Sequence, residues 1–320
     1  MKGSHSIIVE DKKLRYEFTI KRNITVIRGD SATGKTTLIE MIAGYQRAGS
    51  SSGVSISCDC PLVVAYEDDW SYRIKANPGS IIFVDEDNHF TATKEFAETV
   101  KQSDNYFVLV TRNNLSSLPY SVTEIYGIRT SSHYAGLRQV YHELYPLYGN
   151  QLKITAKSNT CILVEDSNSG YDFFTNVFSV KQIKVLSAAG KSNVLGFLLR
   201  LNEPCVVIAD GAAFGPEIDR IMSLIMTGRK IMLYLPESFE WMILSSGIIF
   251  DPEIKDMLKH PEDYIESEKF FSWERYFTSL LAEKTEGTYL SYRKSTLNPS
   301  YLSDAIKNKI IDVMPNDIKK

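Results

Sequence analysis

The sequence predicts an α/β protein built in two halves. Three observations carry this. Short apolar runs, four or five residues long, recur along the chain, and several end in an acid. Between them lie stretches with apolar residues three and four apart, the spacing of a helix with one buried face. After residue 160 the two patterns alternate regularly, which implies a parallel sheet with helices on its faces. The chain of 320 residues is long enough for a sizeable core in each half.

In the first half, His5–Glu10 and Leu14–Ile20 read as a hairpin around Asp11, Lys12 and Lys13. Ile24–Ile27 is an unbroken apolar run, suited to a strand buried on both faces. The helix that follows carries Leu38, Ile39, Met41, Ile42 and Tyr45 on one stripe, and Arg47–Ser55 reads as a Gly/Ser loop. Leu62–Tyr66, Ser80–Val84 and Tyr106–Val110 read as strands, and Ala92, Phe96 and Val100 mark a helix. Val122–Ile128 and Gln139–Tyr145 alternate as later strands of the same half. The apolar pattern lapses between Leu147 and Asn159, and a domain boundary is expected there.

The second half runs through the strand Cys161–Glu165, a helix with Phe174, Val177 and Phe178, the strand Ile183–Ser187, and a helix around Val194–Leu201. The strand Cys205–Ala209 follows, then a helix opened by Pro216 and closed by Gly228, then the strand Ile231–Leu235. Residues 1–150, 158–250 and 251–320 are thus read as a first domain, a second domain and a helical C-terminal extension packing on the second.

Composition narrows the function classes. A net charge of −3 gives no global positive field for nucleic acid, although a local basic groove remains compatible with it. Ile231–Phe250, the most apolar stretch, is broken by Pro236, Glu237 and Glu240 and reads as strand, turn and core helix rather than a membrane span. The start MKGSHSIIVEDKK has no apolar signal core, so a cytoplasmic protein is expected. Cys58 and Cys60 form a CxC pair without a second Cys/His pair at zinc spacing, and read as reduced thiols.

The sharpest motif is Gly29–Asp30–Ser31–Ala32–Thr33–Gly34–Lys35–Thr36, which matches G-x-x-x-x-G-K-[ST] between a buried strand and a helix. Such a loop turns its backbone N–H groups inward as an anion nest. Gly29–Thr37 is therefore the expected nucleotide-binding segment, with Lys35 reaching the β- and γ-phosphates and the Thr36 hydroxyl on Mg²⁺. The run SIIFVDEDN ends in Asp85, suited to hold Mg²⁺, and Glu86, suited to orient or deprotonate the attacking water. Thr111, Arg112 and Asn113 read either as γ-phosphate sensors or as a surface turn. This half resembles the P-loop NTPases, which implies ATP and Mg²⁺ as ligands. LSSG at Leu244–Gly247 is no ABC-type signature, since it lies far downstream in the other half.

The segment from about Thr160 to Leu235 resembles the Toprim domain of primases, topoisomerases and overcoming-lysogenization-defect nucleases. The resemblance puts Glu165 at the family's glutamate and Asp210 at the first acid of its DxD, both at carboxyl ends of parallel strands. In that family the acids hold Mg²⁺ for phosphoryl transfer. Here the second acid is replaced by Ala212, whose methyl cannot ligate a metal. Asp166, Glu217 and Asp219 are near in sequence. Glu217 in a first helical turn either points back to the site or complements the helix dipole. Lys191 is a candidate donor between Glu165 and Asp210. Glu237 and Glu240, beside Trp241, read as a solvated acidic edge on one helix face, with an acid at the mouth of the same sheet as the alternative. YRKSTLNPSY, from Tyr292, reads as solvated surface, with contact to a nucleic-acid backbone as the alternative.

The order ATPase then Toprim resembles the overcoming-lysogenization-defect proteins of bacterial and phage conflict. It implies an ATP-binding, ATP-hydrolysing switch whose nucleotide state controls assembly or grip on DNA or a protein partner, in antiviral defence or on a mobile element. A homo-oligomer is expected, because an arginine such as Arg112 or Arg129 is often supplied in trans to a γ-phosphate. Two alternatives stay open: an ATP-regulated nuclease with a rearranged metal site, and a scaffold that holds ATP without hydrolysing it.

Overall fold

The apolar runs fold into two sheets, and the way each run is flanked decides which sheet it joins. The computed structural model describes residues 1–29, 33–131, 139–148 and 160–319. β1 (His5–Glu10) and β2 (Leu14–Ile20) alternate buried and exposed residues and form a hairpin whose turn is fixed by Asp11, which accepts from the Lys13 and Leu14 amides at 2.7 Å. β3 (Ile24–Ile27) is buried on both faces and leads to α1 (Lys35–Ala48). Then come β4 (Ser55–Ser57), β5 (Leu62–Val64), α2 (Trp70–Ala76), β6 (Ile81–Val84), α3 (Lys94–Lys101), β7 (Tyr106–Val110), β8 (Ile125–Thr130) and β9 (Val140–Pro146).

These nine strands make one mixed sheet in the order β4-β1-β2-β9-β8-β3-β7-β6-β5. The run β8-β3-β7-β6-β5 is wholly parallel. β4–β1, β1–β2 and β9–β8 pair antiparallel, while β2 and β9 pair parallel. β4 and β5 are the two edges of the sheet, yet only residues 58–61 join them. That link reaches at most about 17 Å. The sheet therefore curls until its edges approach, and α1 lies in the hollow. Ile7, Val9, Leu38, Ile42, Val64 and Phe83 share one buried core.

Several sequence readings need correction. Arg47–Ser55 is not one loop: α1 runs to Ala48, a 3₁₀ turn follows, and Ser55 already belongs to β4. α2 was not read from the sequence; its Trp70 stacks on Phe90 at 5.0 Å. The helix read through Ala92 starts only at Lys94, where Thr93 caps α3 by accepting from the Phe96 amide at 3.1 Å. The strand read from Val122 starts at Ile125, behind a 3₁₀ turn capped by Ser121. The boundary read between Leu147 and Asn159 falls mainly on 149–159, outside the described residues.

The second sheet has four parallel strands in the order β11-β10-β12-β13: β10 (Cys161–Val164), β11 (Val185–Ser187), β12 (Cys205–Ile208) and β13 (Ile231–Tyr234). Its connections are α4 (Ser169–Ser179), α5 (Lys191–Arg200) and α6 (Gly215–Met226), and α7 (Phe239–Ser245) follows β13. Phe173 and Phe174 of α4 pack on Phe239 of α7 at 5.2 and 5.8 Å. α8 (Pro252–Lys259), α9 (Trp273–Thr285), α10 (Asp304–Asp312) and α11 (Asn316–Lys319) complete the chain.

The chain divides into two compact units, Met1–Leu147 with Glu262–Ser272, and Tyr148–Pro261 with Trp273–Lys320. Part of the stretch 251–320 thus belongs with the first unit. The Gly3 amide donates to the Glu262 carbonyl at 2.7 Å, Ser267 N–H to Met1 at 2.9 Å, and Asn23 Nδ2 to Phe271 at 2.9 Å. Among the described residues no helix is long and apolar enough to cross a membrane.

Two glycine substitutions test the packing of the second unit. A Cβ on Gly211 would sit 2.5 Å from the Leu235 carbonyl oxygen and 2.9 Å from that of Pro236, so Gly211→Ala is expected to destabilise by about 1–3 kcal/mol. A Cβ on Gly196, inside α5, meets nothing closer than Arg200 Nη2 at 3.9 Å. Gly196→Ala should stabilise by roughly 0.5–1 kcal/mol. Urea unfolding of both variants gives the two signs, and a neutral Gly211→Ala would refute the close backbone approach.

Candidate functional site

In the first unit the candidate residues gather at the carboxyl ends of the parallel strands. β3 delivers Arg28 and Gly29, and α1 begins at Lys35 after Gly34. Asp30, Ser31 and Ala32 lie outside the described residues. Gly34 is at φ 94°, a left-handed conformation, and a Cβ on it would lie 2.7 Å from the Tyr16 hydroxyl. Both facts demand glycine. The Tyr16 hydroxyl donates to the Gly34 carbonyl at 2.9 Å, and burial pushes its pKa up to about 12.

The first turn of α1 holds Lys35, Thr36 and Thr37 and no acid, so its N–H groups face a region of positive potential. Lys35 is buried and bends back, donating to the Gly29 carbonyl at 2.9 Å and to Thr33 Oγ1 at 3.3 Å. Its ammonium therefore sits over the loop whose ends it joins. Arg28, which the sequence reading passed over, is also buried. It donates to the Asn113 carbonyl at 3.2 Å, to Asn114 Oδ1 at 2.9 Å and to the Tyr120 hydroxyl at 2.8 Å, tying the start of the loop to the segment after β7. Its burial was legible only as a basic residue directly following an apolar run.

β7 lies between β3 and β6, so residues at its end stand between the loop and the Asp85–Glu86 pair. Thr111 is buried and bonded to the Asn113 backbone, which leaves Arg112 as the member of Thr111–Asn113 that reaches the cleft. Arg112 grips Glu86 with two hydrogen bonds, Nε to Oε2 and Nη2 to Oε1, both 3.0 Å. Thr33, Gly34, Lys35, Thr36, Thr37, Glu86 and Arg112 together line a cleft of about 210 Å³. Asp85 is behind them, accepting from the Glu86 amide at 2.8 Å. Burial raises its carboxyl pKa, and Asp87, Glu86 and Glu40 raise it further. Arg129 is elsewhere, paired with Glu143 at 2.8 Å across β8 and β9.

In the second unit the adjacent strands β10 and β12 bring Glu165 and Asp210 together. Glu165 Oε2 accepts from the Asp210 amide at 3.2 Å. Asp210 Oδ1 accepts from the Phe239 amide, at the start of α7, at 3.2 Å. Asp166 accepts from the Tyr171 amide at 2.8 Å. Glu165, Asp166 and Asp210 line a cavity of about 20 Å³, which is room for one water or ion. Ala212 is buried, its amide bonded to the Glu237 carbonyl. Glu217 is buried in the first turn of α6, and Asp219 bonds the Tyr148 hydroxyl; neither lines the cavity.

The cation at this cluster is Lys294, which no sequence pattern linked to it. Its ammonium is 2.5 Å from Glu274, 3.7 Å from Glu240 and 3.8 Å from Asp210. Lys191, the donor expected from the sequence, is part-buried and close enough to Glu165 for each to favour the other's charge, and its ammonium also donates to the Ala213 carbonyl at 2.9 Å. Two surface readings are overturned. Glu237 precedes α7, which Ser238 caps, and Glu240 is 1% exposed rather than solvated. Tyr292 is 3% exposed, donating from its hydroxyl to Glu240 at 2.7 Å and sharing a hydrogen bond with Ser169. A buried carboxylate needs such partners, and YRKSTLNPSY supplies them.

Burial, with Glu274 and Glu165 close by, holds the Asp210 pKa well above the usual carboxylate range, and burial also raises Glu165 and Asp166. Burial alone would lower Lys294, but Glu240, Asp210 and Glu274 overrule it and raise its pKa. No family model matches this chain, and no curated protein matches its sequence.

The charge balance yields a pH prediction. Asp210 and Glu165 in the fold bind protons that the unfolded chain has already lost, so their contribution to stability falls as pH rises through their raised values. Removing the ammonium raises them further. Lys294→Met should then destabilise by about 1–3 kcal/mol near pH 7.5, less than a fully buried pair because Lys294 is a third exposed, and by markedly less at about pH 5. Equal losses at both pH values in urea unfolding would remove the carboxylates from this account.

Proposed function

We propose that the chain is an ATP-driven switch: the first unit binds and hydrolyses Mg²⁺–ATP, and its nucleotide state sets assembly or grip on DNA or a protein partner. The observation that carries this reading is the single cleft lined by Thr33–Thr37, Glu86 and Arg112. It joins the three parts phosphoryl transfer needs: an anion cradle, a carboxylate to orient water, and a cation for charge at the γ-phosphate.

The residues fit a magnesium-bound triphosphate. The start of α1 offers N–H groups and no competing acid, and Thr36 and Asp85 offer the hard oxygens Mg²⁺ prefers. Asp85 is half-buried with Asp87, Glu86 and Glu40 close enough to repel its charge, a repulsion that a divalent cation would relieve. Thr36 and Asp85 would hold the ion, whose chemistry is to neutralise charge on the phosphates. Lys35 would exchange the Gly29 carbonyl for phosphate oxygen.

Glu86 in this reading is the base, held in check by Arg112. The pair is partly exposed, so breaking it costs little. A γ-phosphate draws Arg112 to itself and leaves Glu86 able to accept a proton from water. The second unit, with Lys294 among its acids and Ala212 in place of a ligand, serves fold integrity or partner binding in preference to metal-dependent cleavage.

Lys35→Ala should abolish ATP binding by calorimetry. Glu86→Gln should bind ATP yet turn over at least ~10²-fold more slowly. Arg112→Ala should weaken ATP binding by about tenfold, the loss of one charge-assisted pair. Light scattering of Glu86→Gln should show a larger mass with ATP than without. Unchanged ATP affinity in Lys35→Ala would sink the proposal. Mg²⁺-dependent DNA nicking by the wild type, lost in Glu165→Ala, would replace its second half with a nuclease.

A further inference from the structure

We infer that the first unit carries a structural zinc site at the seam of its curled sheet, formed by Cys58, Cys60, His5 and Asp59. The sequence alone shows a CxC pair without partners, because the partner comes from a strand 55 residues away. The register explains the meeting. β1 and β4 pair antiparallel with Ile8 opposite Ser57 and Glu10 opposite Ser55. Continuing that register past the end of β4 sets Cys60 beside His5.

His5, Asp59 and Cys60 bring one ligand atom each within 4.8 Å of one another, and Cys58 approaches through Cys60 and Asp59. Cys58 Sγ lies 3.6 Å from Cys60 Sγ, and Cys60 Sγ lies 3.7 Å from His5 Nδ1. Zinc bonds of about 2.3 Å to sulfur and about 2.0–2.1 Å to nitrogen or oxygen separate neighbouring ligands by roughly 3.4–3.8 Å. Asp59 Oδ1 stands 3.5 Å from Cys58 Sγ and 2.9 Å from His5 Nδ1. The latter spacing is a hydrogen bond, and the Asp59 side chain, 62% exposed, is able to open by a few tenths of an ångström on metal entry. The sulfurs are too far apart for a disulfide, and both cysteines are free.

His5 is oriented for the task. Its ring is buried edge-to-face against Tyr106 at 5.3 Å, with Nε2 inside and Nδ1 turned to the Cys60 thiol and Asp59. Two thiolates, one imidazole and one carboxylate select zinc over magnesium or calcium. The site would clip β1 to the short link that joins the sheet's two edges, so its role is to hold closed the sheet around α1. It does not depend on the nucleotide reading.

The test uses the full chain and zinc alone. The protein as purified should hold one zinc per chain by elemental analysis. Replacement by cobalt should give a thiolate-to-metal charge-transfer band and the intense visible bands of a tetrahedral centre. Cys58→Ser, Cys60→Ser and His5→Ala should each lower zinc affinity at least ~100-fold in competition with a chromophoric chelator, more than the loss of an outer-shell partner gives. Chelation should lower the thermal midpoint of the wild type and leave that of Cys58→Ser unmoved. Should the variants fail to fold, the wild-type cobalt spectrum decides. An octahedral spectrum without thiolate bands, zinc affinity unchanged in both cysteine variants, or a Cys58–Cys60 disulfide by thiol counting would each overturn the inference.

Discussion

The beginning of helix α1 depends on one buried contact, the hydroxyl of Tyr16 on the carbonyl of Gly34. Tyr16 is itself fixed by stacking on His142 of β9 at 4.7 Å, so the hairpin, a late strand and the glycine loop are joined at one ring. Nothing larger than hydrogen fits at residue 34, and no right-handed residue makes the turn. The direction of the helix, the place of its first N–H groups and the reach of Lys35 all follow from that point.

The second unit meets a different constraint. Four carboxylates, Glu165, Asp210, Glu240 and Glu274, converge where sheet and helices leave little water, and such a cluster is unstable without positive charge. One lysine on a long, flexible stem answers for three of them. Ala212 is consistent with this arrangement: it is buried, with its amide on the Glu237 carbonyl, and a carboxylate there would be one more buried charge.

Much of the fold was legible because burial on both faces leaves a plain mark. Ile24–Ile27, Tyr106–Val110, Cys161–Val164 and Ile231–Tyr234 are apolar but for Thr25, and each is a strand. The motif from Gly29 to Thr36 is read from local spacing alone. Less legible were features assembled from distant residues. Lys294 lies 84 positions from Asp210 and in a stretch whose charges look like ordinary surface. Arg112 and Glu86 are two candidates whose mutual grip no spacing rule encodes. α2 was missed because its seven residues are too few to display a helical period, Ile74 being the one buried among them.

The return of Glu262–Ser272 to the first unit has a consequence for how the chain matures on the ribosome. The N-terminus, Gly3 and Asn23 take their backbone partners from residues made about 250 to 265 positions later. β2 likewise waits for β9, since Leu14 pairs with Val140. The first unit begins synthesis first yet is completed only after most of the second has emerged. Long-range closure of this kind folds slowly and leaves strand edges uncovered in the meantime. A fragment ending near Leu147 would therefore be an unfinished unit with an open flank, and its behaviour in solution would describe that flank as much as the cleft.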